Sequence, residues 1–203
     1  MAVVNIGVLG GTFDPVHLGH LIIAEEVREQ LRLDRVLFVP SGHPWLKEER
    51  IISTAEHRVS MLRLALASNP RFQISMVDIE RRGPSYTVDT LTDLKRQFVD
   101  SASFFFILGW DSLAQLPQWR DVPRLLQLCR LVAVGRPGSA KPRLSVLEAV
   151  LPGVSKNVLL LPKPLIGISS SEIRQRVVQG LSIKYLVPEA VETYIREKGL
   201  YRS

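Results

Sequence analysis

The sequence predicts an α/β fold, a doubly wound parallel sheet with helices on both faces, and three observations carry that prediction. Short apolar, partly β-branched runs alternate with segments of helical period along the whole chain, at the spacing of strand-helix-strand units. The runs are apolar throughout rather than every second residue, as strands covered on both faces must be. The 203 residues, 46% of them hydrophobic, suit a single globular domain, residues 1–203, with a sizeable core.

Taken in order, residues 3–9 are apolar except for Asn5 and Gly7 and read as a buried strand that Gly10 and Gly11 end. Pro15 disfavours helix at the residue before it, so the first helix is expected to open at Val16 or His17 and run to about Leu31. Residues 35–39 form a second strand ended by Pro40, and residues 41–50 a polar loop. Ser53-Thr54-Ala55-Glu56 has capping-box spacing and starts a helix that reaches Ser68 before Asn69-Pro70 breaks it. Further strands are expected at residues 72–79, 103–108, 131–134 and 158–161, and further helices at 87–98, 122–129 and 147–151. Ser169-Ser170-Ser171-Glu172 repeats the capping-box spacing and opens a helix that Gly180 stops. A closing helix begins at Pro188, packs through Val191, Tyr194 and Ile195, and ends at Gly199.

In such a sheet, ligands lie beyond the carboxyl ends of the strands, and each chemically suggestive segment here follows a strand's end. Gly10-Gly11-Thr12 follows the first strand, residues 41–47 the second, Gly109-Trp110-Asp111 the fourth and Arg136 the fifth. Glycines leave backbone N–H groups uncovered, and the following helix presents the positive end of its dipole, so this turn suits a phosphate. His17 and His20 lie on one face of the first helical turn, where their ring N–H groups can supplement those donors. The pair could equally be two metal ligands, but no third ligand is evident nearby and His-Glu-x-x-His is absent. The spacings of the dinucleotide fingerprint and the P-loop are absent too. Three serines followed by Arg174 gather hydroxyl and guanidinium donors beside a second helix dipole and could hold a triphosphate. Trp45 and Trp110 read as packing residues or as ligand platforms.

The string GGTFDPVHLGH resembles the signature of the nucleotidyltransferases with a His-x-Gly-His motif, and most of all the bacterial nicotinate-mononucleotide adenylyltransferases. The likeness spans nearly the whole chain: FVPSGHPWLK, PSYTVDTL, LGWDSLAQLPQW, GRPG, ISSSEIR and YLVPEAVETYI follow in turn. It implies a Rossmann-like nucleotidyltransferase fold whose residues 165–203 form a helical segment completing an ATP site. It further implies adenylyl transfer from ATP to nicotinate mononucleotide, giving deamido-NAD and pyrophosphate in NAD biosynthesis. The catalytic residues would be His17, His20, Lys47 and Arg174, and ATP would be held by Gly10, Gly11, Thr12, Phe13, His17, Gly19, His20, Gly109, Asp111, Ser170, Ser171 and Arg174. The pyridine mononucleotide would meet Thr12, Lys47, Tyr86, Thr87, Trp119, Arg120 and Arg136, with its ring stacked on Trp119. The attacking 5′-phosphate is already an anion, so positioning and charge neutralisation suffice, without a general base or covalent intermediate. Mg²⁺ would bind through ATP phosphates and water, with no metal ligand assigned to the protein. Two departures are visible: Trp45-Leu46 stand where many relatives have Pro-His before the lysine, and Arg120 where an aromatic residue is common.

Composition separates the rival functions. The net charge of +6 fits nucleic acid, a membrane surface or small polyphosphates. Arg124, Arg130, Arg136, Lys141 and Arg143 are scattered rather than run together, and no aromatic-basic interleaving of single-strand binders occurs. Small polyphosphates are therefore the expected partners, with neither nucleic acid nor membrane, and homo-oligomerisation stays open. No basic segment precedes the first short apolar run and no run approaches the ~20 residues a bilayer requires, so a cytoplasmic location is expected. Cys129, among leucines, reads as a reduced core thiol. The first motif alone also fits a phosphopantetheine adenylyltransferase or a cytidylyltransferase, and a non-catalytic nucleotide sensor or nucleic-acid binder on the same fold is the rival of another class.

Overall fold

The computed structural model describes residues 3–42, 52–98 and 102–202. Strands β1 (Val4–Gly11), β2 (Arg35–Pro40), β3 (Phe72–Ile74), β4 (Ala102–Gly109), β5 (Cys129–Val134) and β6 (Val158–Leu161) form one sheet in the order β3-β2-β1-β4-β5-β6. Every neighbouring pair is parallel. The helices of the described residues are, in chain order, α1 (Leu18–Gln30), α2 (Ala55–Leu66), α3 (Val77–Glu80), α4 (Thr87–Phe98), α5 (Trp110–Ala114), α6 (Val122–Leu128), α7 (Leu144–Val150), α8 (Val154–Asn157), α9 (Ser170–Val178) and α10 (Glu189–Glu197).

The alternation of side chains along the strands divides the core in two. In β2, Leu37 and Val39 enter one cluster and Val36 and Phe38 the other. The first cluster holds Leu91 and Leu94 of α4, Leu113 of α5, Leu125 of α6, Leu147 of α7 and Val154 of α8. The second holds Ala24 and Val27 of α1, Met61 and Leu62 of α2, Ile173 of α9, and Val191 and Ile195 of α10. Helices therefore cover both faces, as the uniformly apolar strands require. Winding runs outward from β1 to β3 on one side and from β4 to β6 on the other, which opens a crevice between the carboxyl ends of β1 and β4.

Three boundaries differ from the sequence reading, and two short helices are added to it. Gly10 and Gly11 do not end β1; they stay in register with Val39 and Pro40, and the turn comes afterwards. The segment expected to be a strand to residue 79 stops at Ile74, because Ile79 and Glu80 turn back to donate to the Met76 carbonyl and form α3. That turn lets the buried Asp78 carboxylate accept from the Thr90 hydroxyl and Arg81, both at 2.6 Å. Cys129 opens β5 beside Phe104 instead of closing a helix. The short helices α5 and α8 were not anticipated, since one turn is too brief to display a helical period. No helix among the described residues is long and apolar enough to cross a membrane.

Candidate active site

A cavity of about 500 Å³ occupies the crevice between β1 and β4. The turn after β1, the end of β2, the segments after β4 and β5, and the first turns of α1, α4 and α9 border it. Gly10, Gly11, Thr12, Phe13, His17, Gly19, His20, Tyr86, Thr87, Gly109, Asp111, Trp119, Arg120, Arg136, Ser170, Ser171 and Arg174 all line this one space. Lys47, with Trp45 and the polar loop around them, lies outside the described residues.

The β1–α1 turn is built by close packing. A Cβ on Gly11 would sit 3.2 Å from the Phe13 ring, and Phe13 itself adopts φ +52° with its ring buried edge-on to His20, centroids 5.0 Å apart. His17 is the N-cap of α1 and His20 its third residue, and their rings stack at 3.7 Å. The His17 backbone N–H donates to His20 Nδ1 at 3.2 Å, which places the His20 ring proton on Nε2 when the ring is neutral. Burial, reinforced by the Arg136 charge, lowers the His17 pKa to about 4, so this ring is neutral at physiological pH. Its Nδ1 is buried without a hydrogen-bond partner. Gly19 explains itself sterically: a Cβ there would stand 3.0 Å from His17 Nδ1 and 3.0 Å from Ile166.

The α9 terminus braces that turn. Ser169 caps the helix, accepting from the Glu172 N–H at 3.2 Å. The Ser170 hydroxyl donates to the Pro15 carbonyl at 2.9 Å. Arg174 donates one Nη to the Asp14 carbonyl at 2.6 Å and the other to Ser171 Oγ at 3.3 Å. Part of the donor set read from the serine run is thus spent on protein, holding the loop after β1.

At the far end of the cavity lie Tyr86, Thr87, Trp119 and Arg120. Trp119 is half-buried with its ring edge-on to Phe106, 6.0 Å between centroids, and its backbone N–H is committed to the Leu116 carbonyl at 2.9 Å. The Arg120 guanidinium lies 4.8 Å above the Tyr86 ring and 3.6 Å from the Asp89 carboxylate, 60% exposed. Trp110 is a packing residue, buried with Nε1 donating to the Ala133 carbonyl at 3.1 Å. Ser41, which opens the 41–47 segment singled out in the sequence, lines the same cavity, and sequence reasoning missed Asp78, Ser85 and Thr90 as lining residues. Gly42 shows why the glycine after Ser41 is needed: a Cβ would collide with the Asp78 carbonyl oxygen, and its N–H donates to Ser85 Oγ at 3.0 Å. The available signal was a lone acid between Val77 and Ile79, which an apolar strand would not carry. Cys129 takes no part; burial pushes its thiol up to about 12.

Among the described residues no three His, Cys, Asp or Glu side chains are grouped to hold a metal ion. Arg136 and Arg174 line the cavity together with Arg120, and of its three lining aspartates Asp14 and Asp78 are buried while Asp111 is exposed. Such a lining, at a switch point and beside helix N-termini, can seat a polyphosphate next to a flat, partly aromatic compartment.

Residues 8–176 match the cytidylyltransferase-like family. A Roseiflexus sp. protein named "Probable nicotinate-nucleotide adenylyltransferase" is 50% identical over 202 residues, covering 100% of both chains. One of the same name from Dehalococcoides mccartyi is 46% identical over 201 residues, 99% of this chain and 98% of that one. A solved structure of Plasmodium falciparum nicotinic acid mononucleotide adenylyltransferase complexed with NaAD superposes with a TM-score of 0.77 over 98% of this chain and 97% of that chain; at 22% identity the likeness is one of fold.

Proposed function

We infer that this chain, which belongs to the cytidylyltransferase-like family and within it to the nicotinate-nucleotide adenylyltransferases, transfers the adenylyl group of ATP to the 5′-phosphate of nicotinate mononucleotide, giving deamido-NAD and pyrophosphate in NAD biosynthesis. The observation that carries the reaction is the stacked His17–His20 pair at the mouth of α1, its His17 ring kept neutral by burial, in the cavity that Arg136 and Arg174 also line.

The attacking phosphate is an anion already, so the residues need only align it with the α-phosphate and neutralise charge that shifts to the leaving pyrophosphate. His20 Nε2–H and the His17 ring serve as donors to the transferring phosphoryl group. Burial keeps His17 neutral, so its ring brings an N–H without a full charge. Arg174, Ser171, Thr12 and the amides around Gly10 and Gly11 hold the triphosphate, with Ser170 and Phe13 maintaining the loop and Gly19 making room for the His17 ring. Asp111 and the Gly109 backbone face the nucleoside, and Lys47 and Arg136 neutralise the phosphates. Mg²⁺ would be held through phosphate oxygens and water, a fit with a lining whose Asp14 and Asp78 are already bonded within the protein, leaving Asp111 as the exposed carboxylate; it would supply charge neutralisation of the triphosphate. Residues 1–203 work as one domain in which residues 165–203 complete the ATP site, and the protein acts in the cytoplasm.

The pyridine ring stacks on Trp119. Because the Trp119 N–H is spent inside its own turn, donors for the nicotinate carboxylate come from the Arg120 amide and from the first-turn amides of α4 at Thr87 and Val88, which have no partner within the helix. Incubating purified protein with ATP, Mg²⁺ and a panel of acceptors tests the assignment. Pyrophosphate and deamido-NAD are expected with nicotinate mononucleotide. Release with phosphopantetheine or a phosphorylated alcohol in place of any pyridine mononucleotide would overturn it.

A further inference from the structure

The loop between β1 and α1 has no sheet neighbour, yet its side chains and carbonyls are gripped by residues far away in sequence. Asp14 is 3% exposed, and its carboxylate accepts from the Tyr201 hydroxyl at 2.7 Å, across 187 residues, and from the Ser53 N–H at 3.2 Å. Arg58, 2% exposed, donates Nη1 to the Thr12 carbonyl at 2.9 Å and Nε to the Ser53 carbonyl at 3.0 Å. Arg174 holds the Asp14 carbonyl. The Thr12–Phe13 peptide is planar and trans, so fixing the Thr12 carbonyl on Arg58 fixes the direction of the Phe13 N–H on the opposite edge.

From this arrangement we propose that Tyr201 and Arg58 are positioning residues for the ATP phosphates, acting through Asp14 and Thr12 on the loop that joins β1 to α1. The proposal rests on the reading of this loop as the phosphate site. Three features support it. Tyr201 is delivered by a specific turn: Gly199 takes φ +62°, Leu200 N–H returns to the Ile195 carbonyl at 3.1 Å, and Tyr201 itself takes φ +64°, a strained region for a tyrosine. Burial first, and the Asp14 charge second, raise the Tyr201 pKa far above neutrality, so its hydroxyl stays a donor. Burying Arg58 beside Asp14 is costly unless both are paired, and their hydrogen bonds go not to each other but from Arg58 to the Thr12 and Ser53 carbonyls and to Asp14 from Tyr201 and Ser53. The cluster therefore spends its hydrogen bonds on the shape of one loop.

Isothermal titration of ATP and of nicotinate mononucleotide, with steady-state kinetics and Tm on the same samples, tests this for wild type, Tyr201→Phe and Arg58→Lys. Tyr201→Phe removes only the hydroxyl. It should weaken ATP binding by ~5-fold or more and lower kcat ~10-fold, while nicotinate mononucleotide affinity stays within ~2-fold. Arg58→Lys, which keeps the charge but loses the forked pair of donors, should move the same constants in the same direction, and it reads the proposal even if Tyr201→Phe fails to fold. Tyr201→Leu, which also loses the ring, should lower Tm further without weakening ATP binding beyond the Phe variant. Wild-type ATP affinity and kcat in Tyr201→Phe would overturn the proposal, as would an equal loss of both affinities in step with Tm. If wild type binds ATP but forms no deamido-NAD, the reaction reading fails, and weakened ATP binding in Tyr201→Phe still supports the positioning role.

Discussion

The two ends of the cavity are built by different means. At the glycine turn, the loop's backbone and Asp14 are fixed by Ser53, Arg58, Ser170, Arg174 and Tyr201, and the histidines stack on each other. At the Trp119 end, one ring stands edge-on to Phe106 and an exposed guanidinium rests between Tyr86 and Asp89. The loop of the first end is over-determined; at the second the buried Asp78 is bonded to Thr90 and Arg81 beneath the cavity, but Trp119 and Arg120 themselves are loosely held. This division follows from the work: the phosphoryl step demands sub-ångström placement of donors, whereas recognising a flat ring needs area and a few amides.

The largest effect should come from the tight end. His17→Ala should lower kcat roughly 10²-fold or more, by analogy with the loss of one oxyanion donor, while the protein stays folded. kcat and Tm measured on one sample separate this from a structural histidine, whose loss would lower Tm and spare turnover. Full activity in His17→Ala would erase the contrast between the two ends.

The same residue makes that end sensitive to acid. Its folded pKa of about 4 lies below its unfolded value of 6.5, so between these the unfolded chain binds a proton that the folded one refuses. Stability from this group is complete above pH 6.5 and is lost as pH falls toward 4, amounting to about 3 kcal/mol in all and roughly 2 kcal/mol by pH 5. Urea midpoints at pH 7 and pH 5 should therefore diverge more in wild type than in His17→Gln. Parallel shifts in the two proteins would place the acid sensitivity elsewhere.

At the loose end the expected effects are smaller. Amides at the start of α4 suit a carboxylate that accepts at both oxygens and leave a donor facing the NH₂ of a carboxamide, at a cost of about 1–3 kcal/mol. Nicotinate mononucleotide should then exceed nicotinamide mononucleotide by ~10-fold or more in kcat/KM, and Trp119→Ala should raise KM for both ~5-fold with ATP affinity unchanged. Equal kcat/KM for acid and amide would remove the α4 amides from the recognition.

The two ends were also unequally legible in the sequence. The sheet, its two covered faces and a turn following β1 were legible from apolar runs and strand-end motifs, because those depend on local pattern, although the turn lies beyond the glycines expected to make it. Residues 72–79 misled because Asp78 finds its partners in Arg81 and Thr90, and Thr90 comes from a different helix. Arg58 and Tyr201 were unreadable as site residues for the same reason. Their partners lie 46 and 187 positions away, and no single-sequence signal links them. Ser170 was legible as part of a polar run, but its bond to Pro15 needed coordinates.

The smallest effect is expected at Arg120. That side chain is 60% exposed, and its partner Asp89 is 35% exposed at 3.6 Å, so solvent and salt screen the pair. Its place over the Tyr86 ring contributes about 0.5–1 kcal/mol at an exposed site. Arg120→Ala should therefore change kcat/KM for nicotinate mononucleotide by less than ~3-fold, and raising salt should shrink even that difference. Arg120→Phe, which keeps a ring over Tyr86 and discards the charge, should match wild type at high salt. A loss beyond ~10-fold in Arg120→Ala, persisting in salt, would mean that the loose end also works by a fixed charge, and the contrast between the two ends would have to be redrawn around Arg120.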